Sequence, residues 1–399
     1  MKIGIYAGTI PPPVFINNLV NGLADTNDIV IVYGKASERN YRFSSSTIVQ
    51  RKVPITKLGI ILYSLYIHAK LIIRQPNLYL AIAKMLRQNS INLKQFVQRS
   101  CKILPPFLDN LDIFHIQWAK MLVQYPEFIE KLKCPVVLSL RGAHINYSPL
   151  SDKVLAQKYM KYFPMVAGFH AVSAAISLEA QKYGADPKKI TIIPPAVKSE
   201  LTEKWAVEKS IQINDELKII SVGRCHWKKG YTYALDAMVL LKKKDVQFHY
   251  TIIAGGRDQE NILYQIHDLG LNKCVSFIND KLSHDEVLKK VSECDLFLLP
   301  SLEEGISNAV LEAMALGIPT ISTDCGGMRE VICDKKNGFI IPFREPVMMA
   351  KKIKEFSSMN ETERRYISEN ARKTILEKYL LNEQIKEMVN LYQNVLKYN

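Results

Sequence analysis

Residues 299–334, LPSLEEGISNAVLEAMALGIPTISTDCGGMREVICD, constrain the fold of this chain more than any other stretch. They open on the end of an apolar run at 295–300 and fall into a polar turn at 301–305. From Asn308, Val310, Leu311, Met314 and Ala315 recur at helical spacing up to Gly317, a C-terminal stop. Pro319 begins a second apolar run, PTIST, closed by Gly326 and Gly327. Strand, loop, helix, strand is the unit of a parallel α/β sheet. Its first turn is an expected anion site. The backbone N–H groups of Ile306, Ser307 and Asn308 open the helix, where the dipole favours negative charge. Glu304 stands just before that turn and Glu312 one helical turn beyond Asn308. Two carboxylates repel a bare phosphate, but they are strong acceptors for the hydroxyls of a phosphate that carries sugars.

The segment EGISNAVLEAMALGIPTISTDCGGMREV resembles the signature of the retaining, nucleotide-sugar-dependent glycosyltransferases of the GT-B fold, family-4 type. Their E-x7-E pair is met here by Glu304 and Glu312. A second element of that family, SVGRCHWKKG, lies at 221–230. Many helices carry two glutamates at such spacing. In register with a strand, a phosphate turn, EAMA.G.P and an upstream GR….KG, the pair is specific. The likeness is close over the C-terminal half and loose over the N-terminal half. It implies an α/β fold of two Rossmann-like domains facing across a cleft, with a C-terminal helix crossing back to the first. The expected bounds are 1–198 for an acceptor-binding domain, 199–380 for a nucleotide-sugar domain and 381–399 for the crossover helix.

Length and composition agree with two cores: 399 residues, 48% of them apolar. Seven cysteines, Cys101, Cys134, Cys225, Cys274, Cys294, Cys325 and Cys333, are scattered without C-x-x-C spacing. They read as buried thiols in a reducing cytosol rather than a zinc site or a disulfide framework. The N-terminus starts directly as a strand and its apolar run is too short for a signal peptide. No run of about 18 apolar residues exists, so no membrane span is expected.

Residues 2–7 read as the first strand, ending at Gly8. The resembled family follows with a glycine-rich turn near the donor phosphates, whereas this chain has GTIPPPVFINN, without a Gly-Gly pair. Gly8 either allows close approach to the donor or makes an ordinary tight turn. A helix at 15–23 and a strand at 29–33 follow. Residues 39–108 then contain no Asp or Glu and twelve Lys and Arg, most of the formal net charge of +14. Within 57–102, cations such as Lys70, Arg74, Lys84 and Arg87 interleave with LGIILYSLYIHAKLII and LYLAIAKMLR. Three readings stand: a surface that lies on an anionic membrane, core-packing helices with basic outer faces, and a nucleic-acid face. The membrane is favoured, because such charge asymmetry exceeds what solvation needs and no nucleic-acid-binding module is recognisable.

Strands at 113–117 and 136–140 come next, the second running into RGAHINYSP. Members of the resembled family end this strand in a histidine near donor sugar and acceptor; here Arg141 holds the position and His144 comes three residues later. Arg141 can stabilise phosphate charge, and His144 can orient a hydroxyl or move a proton. The alternative is a structural Arg and a surface His. His115, in mid-strand, reads as a satisfied core histidine. Strands at 167–172 and 190–193 complete the first domain, and the polar run 198–216 reads as a linker.

In the second domain a strand at 217–222 precedes GRCHWKKG. Gly223 permits a tight turn at the expected donor site, and the resemblance assigns Arg224 and Lys229 to the donor's diphosphate, with Lys228 a near neighbour of Lys229. After the strand at 275–278, NDKL resembles the loop beside the nucleotide base, which places Lys281 there; Asn279 stands where the family has Gly, and the base is not legible, although UDP is an expected carrier. Glu304 would hold the hydroxyls of the donor sugar and Glu312 the ribose diol. The implied reaction is retaining transfer in which the acceptor attacks from the leaving-group face, with no side-chain nucleophile and no cofactor beyond the donor. No D-x-D occurs in the chain, so metal-independent transfer is expected. The expected acceptor is a lipid-linked glycan of bacterial surface polysaccharide synthesis, reached from the cytoplasmic face of the membrane. A catalytically silent partner subunit and a sugar-nucleotide epimerase are the alternatives.

Overall fold

The computed structural model describes residues 1–26, 28–38, 40–204, 216–256 and 259–398. Two compact units emerge: Met1–Ile193 joined by the segment from Gln384 to the C-terminal end, and Pro194–Glu383. Each is built on one parallel sheet.

The first sheet contains β1 (Lys2–Ile10), β2 (Ile29–Ala36), β3 (Ile48–Val53), β4 (Ile113–Ile116), β5 (Val136–Leu140), β6 (Gly168–Ala171) and β7 (Ile190–Ile192), in the order β3-β2-β1-β4-β5-β6-β7. Continuous apolar runs such as IVIVY and VVLSL produce this arrangement, because parallel strands are buried on both faces. β1 continues past Gly8 to Ile10, its register against β2 shifting between Tyr6 and Gly8. Phe114, Phe128 and Tyr6 pack under the sheet, with the Phe114 and Phe128 ring centroids 4.9 Å apart. Fully burying such side chains stabilises by roughly 1.5–3 kcal/mol each. The strand order reverses between β1 and β4, and in open α/β sheets ligands bind beyond the carboxyl ends of strands at such a point.

After α1 (Val14–Asp25), the acid-free stretch forms three helices: α2 (Lys57–Arg74), α3 (Pro76–Gln88) and α4 (Leu93–Ile103). Thr56 caps α2 by accepting from the Gly59 N–H at 3.1 Å, and Pro76, which cannot extend α2, opens α3. Ile67, Leu71, Ile82, Leu86 and Ile103 enter the core, so one face is core-packing. On α2, however, Leu58, Ile61, Leu62, Leu65, Ile72 and Ile73 are exposed at i, i+3, i+4 spacing. No described helix is long and apolar enough to cross a membrane. The C-terminal helix, Leu381–Tyr398, buries Ile385, Leu391, Tyr392 and Val395, and from Gln384 it belongs to the first unit.

The second sheet contains β8 (Leu217–Arg224), β9 (Phe248–Gly255), β10 (Val275–Ile278), β11 (Leu296–Leu299), β12 (Thr320–Thr323) and β13 (Phe339–Ile341), ordered β10-β9-β8-β11-β12-β13. Its order reverses between β8 and β11. Val197 donates to the Tyr379 carbonyl and accepts from the Leu381 N–H, both at 2.9 Å. This pairing draws 194–198 into the second unit, a few residues ahead of the expected boundary. Of the expected linker, 199–204 is helical and 205–215 lies outside the described residues. The thiols correct one expectation: Cys333 is exposed and Cys134 and Cys274 are only half-buried. Cys333 follows the short helix Met328–Val331 on a turn held by its N–H to Asn337 Oδ1, at 2.7 Å.

Candidate functional site

At the reversal of the second sheet, two loops leave β8 and β11. Arg224 ends β8, exposed and without a carboxylate partner among the described residues. The next turn, Trp227–Lys229, is 3-10 and buries both Lys228 and Lys229. Across from it the 300–305 loop brings Glu304 inside. Lys229 Nζ donates to Glu304 Oε1 at 2.5 Å, Lys228 Nζ reaches Oε2 at 3.5 Å, and the Ser301 hydroxyl donates to Oε1 at 3.0 Å. Burial disfavours the Glu304 charge, but Lys229 and Lys228 outweigh it and hold the carboxyl below its ordinary value. Three charges in one buried knot carry a net positive charge, which polarises the site toward anions.

Backbone contacts set this knot. The Leu302 N–H donates to the Lys228 carbonyl and the Gly327 N–H to the Gly305 carbonyl, each at 2.7 Å. Gly230 has φ +64°, and a Cβ there would stand 2.0 Å from the Pro300 carbonyl oxygen. Gly326 has φ +54°, and its Cβ would stand 1.8 Å from the Glu304 carbonyl oxygen. Only glycine allows either approach.

Beyond the knot, the helix Asn308–Ala315 begins with Ile306 and Ser307 buried and Asn308 exposed. The Ser307 carbonyl accepts from Val310 and Leu311, both at 3.1 Å, while the first helical N–H groups have no acceptor within the helix. Glu312 lies on this helix with Oε1 3.6 Å from Nε2 of His284, the first residue of the helix His284–Ser292. Burial pushes the Glu312 carboxyl up to about 7 and also lowers His284. Lys281 is exposed on the loop between β10 and that helix, where the Asn279 amide donates to Gln259 Oε1.

The first unit gathers its candidates at its own reversal. Gly8 (φ +85°) lies near the end of β1, Gln117 follows β4 and Arg141 follows β5. The Arg141 guanidinium lies 4.6 Å above the Phe15 ring and donates to Gln117 Oε1 at 3.3 Å, and its Nε has no partner among the described residues. Burial pulls Arg141 down to about 10, so it stays protonated at neutral pH. A half-buried cation with no counter-ion among the described residues predisposes this end of the sheet to anions. The His144 ring packs 5.5 Å from Trp118, and its carbonyl accepts from the Tyr159 hydroxyl at 3.0 Å.

Beneath Arg141 runs a buried hydrogen-bonded chain whose direction follows from one acceptor. The Ile193 carbonyl can only accept, so His170 Nε2 donates to it at 2.9 Å and His170 Nδ1 is left to accept from the Ser139 hydroxyl at 2.8 Å. The Ser139 oxygen then accepts from His115 Nε2 at 2.8 Å. His115 Nδ1 in turn accepts from the Tyr392 hydroxyl at 2.7 Å and the Gln117 amide at 3.1 Å. Burial holds both imidazoles neutral, His170 down to about 3. His115 is thus the satisfied core histidine its mid-strand place suggests, and it also orients the amide that meets Arg141. Gln117 was not singled out by the sequence, although its place just past a parallel strand is the available signal. Lys228, read only as a neighbour, shares Glu304.

Residues 203–374 match the family described as Glycosyl transferases group 1. The second unit is a group 1 glycosyltransferase domain. The curated relatives match only part of the chain. The amylovoran biosynthesis glycosyltransferase AmsK of Erwinia amylovora is 29% identical over 249 residues, 59% of this chain and 58% of its own. The N,N'-diacetylbacillosaminyl-diphospho-undecaprenol alpha-1,3-N-acetylgalactosaminyltransferase of Campylobacter jejuni is 26% identical over 204 residues, 51% of each chain. The chain therefore spans little more than half the length of these relatives. Solved structures match throughout: sucrose-phosphate synthase of Thermosynechococcus elongatus with TM-score 0.74 at 14% identity, covering 100% of both chains. Anabaena Alr3699/HepE in complex with UDP-glucose matches with TM-score 0.66 at 16% identity, over 98% of this chain and 99% of its own. With the two parallel sheets, these likenesses make the fold that of the GT-B glycosyltransferases. Arg224, Lys229, Glu304, the 306–308 turn and Glu312 all lie in the glycosyltransferase domain, and Gly8, Arg141 and His144 in the first unit.

Proposed function

We propose that the chain is a retaining glycosyltransferase that moves a sugar from a nucleotide-diphosphate sugar to a lipid-linked glycan acceptor in surface polysaccharide synthesis. The observation that carries this reading is the Lys228–Lys229–Glu304 knot beside Arg224, at the strand-order reversal of the glycosyltransferase domain. Arg224, Lys229 and the 306–308 turn stabilise the departing diphosphate, where charge develops most. Glu304, already ionised and fixed by two lysines, aligns Lys229 and accepts from the donor sugar's hydroxyls. The acceptor oxygen bonds to the anomeric carbon from the face that the diphosphate leaves, and its proton passes to the departing phosphate oxygen. Because side chains and helix N–H groups supply the positive charge, no metal ion is needed. Arg141 stabilises phosphate charge and His144 orients a hydroxyl. Lys281 and Gly223 line the donor. The UDP-glucose complex of the similar Anabaena protein supports a uridine diphosphate carrier, and the undecaprenol-linked substrate named for the Campylobacter relative supports a lipid-linked acceptor. The exposed apolar face of α2 supports docking on the cytoplasmic face of a membrane.

A panel of nucleotide sugars, followed by thermal unfolding, tests the donor class. At a hundredfold excess over its dissociation constant the true donor stabilises by about 2.7 kcal/mol. If no nucleotide-diphosphate sugar raises Tm, the proposed donor site is wrong.

Glu312 makes that site pH-dependent in a defined direction. Its carboxyl, raised to about 7, is mostly neutral at pH 6 and mostly ionised at pH 8, with His284 the facing titratable group. A carboxylate accepts from a ribose diol more strongly than the neutral acid, so uridine affinity rises with pH by up to about tenfold across that window. Uridine is the right probe, since a phosphate would titrate near 6 itself. Glu312→Gln flattens the profile; an unchanged slope in that variant removes Glu312 from the ribose.

A further inference from the structure

We propose that the first unit holds a pocket for the phosphate of an anionic lipid headgroup, set beside the apolar stripe of α2. The inference rests on the membrane-docking part of the proposed function and names the group the docked surface grips. A cavity of about 710 Å³ opens between β3, α2 and the 3-10 turn Pro105–Leu108. Its charged lining is Arg42, Arg51, Lys52, Lys70, Arg74 and one carboxylate, Asp109.

That carboxylate is fully used. Arg51 donates to Asp109 through Nε at 3.0 Å and Nη2 at 2.6 Å, and the Tyr33 hydroxyl adds a bond of 2.9 Å. Arg51 and Asp109 neutralise each other, and four cations remain. None of Arg42, Lys52, Lys70 and Arg74 has an acidic partner among the described residues. Lys52 donates to the Tyr41 carbonyl and Lys70 to the Tyr66 hydroxyl at 2.9 Å, neutral acceptors that orient the ammonium groups without cancelling their charge. A concave site with four uncompensated cations suits a phosphate, whose oxygens can accept from several of them together.

Apolar surface beside the pocket selects the source of that phosphate. Tyr66 both lines the cavity and stands 55% exposed, continuous along α2 with Leu62 at 57%, Leu65 at 63% and Ile73 at 81%. A soluble phosphate ester or a nucleic acid would leave this stripe in water. A phospholipid in a bilayer covers it: the stripe enters the boundary between headgroups and acyl chains while the cations meet the phosphate level.

Sedimentation of the full chain with vesicles tests this, using phosphatidylcholine alone and phosphatidylcholine mixed with phosphatidylglycerol. Anionic vesicles should bind the protein in a salt-sensitive way. The pocket pair Lys70→Gln with Arg74→Gln should weaken that binding about 30-fold, from two charges at the surface. Lys84→Gln with Arg87→Gln, an equal loss of charge on α3 outside the pocket, should cost less. Leu62→Ser with Leu65→Ser should also release the protein. Equal losses from the two charge pairs would overturn the pocket and leave plain electrostatic docking standing. Glycerol 3-phosphate binding as tightly without vesicles would assign the pocket to a soluble ester and overturn the lipid. No vesicle binding by the unaltered chain would sink pocket and docking together, while nucleotide-sugar transfer, measured separately, would stand or fall on its own.

Discussion

Arg224→Ala is expected to lower kcat/KM by about 100-fold or more while leaving unfolding unchanged, comparable to removing a donor aimed at developing charge. The exposed guanidinium ends β8 and pairs with no carboxylate among the described residues, so nothing in the fold depends on it. Lys229→Ala is a different case. It takes away the 2.5 Å partner of buried Glu304, while Lys228 at 3.5 Å and the Ser301 hydroxyl at 3.0 Å stay beside the carboxylate. Breaking a buried ion pair costs about 3–5 kcal/mol, and the surviving lysine places this variant near the lower figure. Steady-state kinetics beside chemical unfolding separates the two. Near-normal turnover in folded Arg224→Ala would remove the phosphate clamp from the mechanism.

Gly326→Ala should be among the most damaging single substitutions in the glycosyltransferase domain. Its Cβ would sit 1.8 Å from the Glu304 carbonyl oxygen, on a backbone with φ +54°. Neither atom can yield cheaply, because the Glu304 loop is held by the Gly327–Gly305 bond and by the Thr323 hydroxyl on the Ser301 carbonyl. Overpacking plus a left-handed backbone costs at least about 2–3 kcal/mol, and any relaxation moves Glu304 off Lys229. Activity should fall further than stability. Gly255→Ala is the control, since nothing lies within 4 Å of the Cβ it would add. If Gly326→Ala matches that control in Tm and turnover, the loop does not depend on this approach.

The parallel sheets were legible because each strand and helix declares itself over a few residues, as in IVIVY or the run from Asn308 to Ala315. The strand at 48–53 was not: IVQRKV carries two adjacent charges, and its place at the sheet edge leaves Gln50, Arg51 and Lys52 partly exposed. At the site, the motif put Arg224, Lys229, Glu304 and Glu312 forward, but not the pairing of Lys229 with Glu304 across 75 positions. Nor did periodicity predict that Gln117 would hold Arg141, or that Tyr392 from the last helix would reach His115. Such contacts depend on how the sheet stacks its strands, which local pattern does not encode. For the basic stretch 57–102 the sequence favours a membrane surface over core-packing helices, and the structure divides it: Ile67 and Leu86 enter the core while Leu65 and Ile73 remain outside.

The proposed retaining, metal-independent transfer is read from the anomeric configuration of the product. Purified protein, a nucleotide-diphosphate sugar that stabilises it, and a lipid-linked glycan acceptor are combined in EDTA, and the new glycosidic bond is characterised by NMR. The new bond should have the same anomeric configuration as the donor's. An inverted bond, or transfer that appears only when Mg²⁺ or Mn²⁺ is restored, would contradict it.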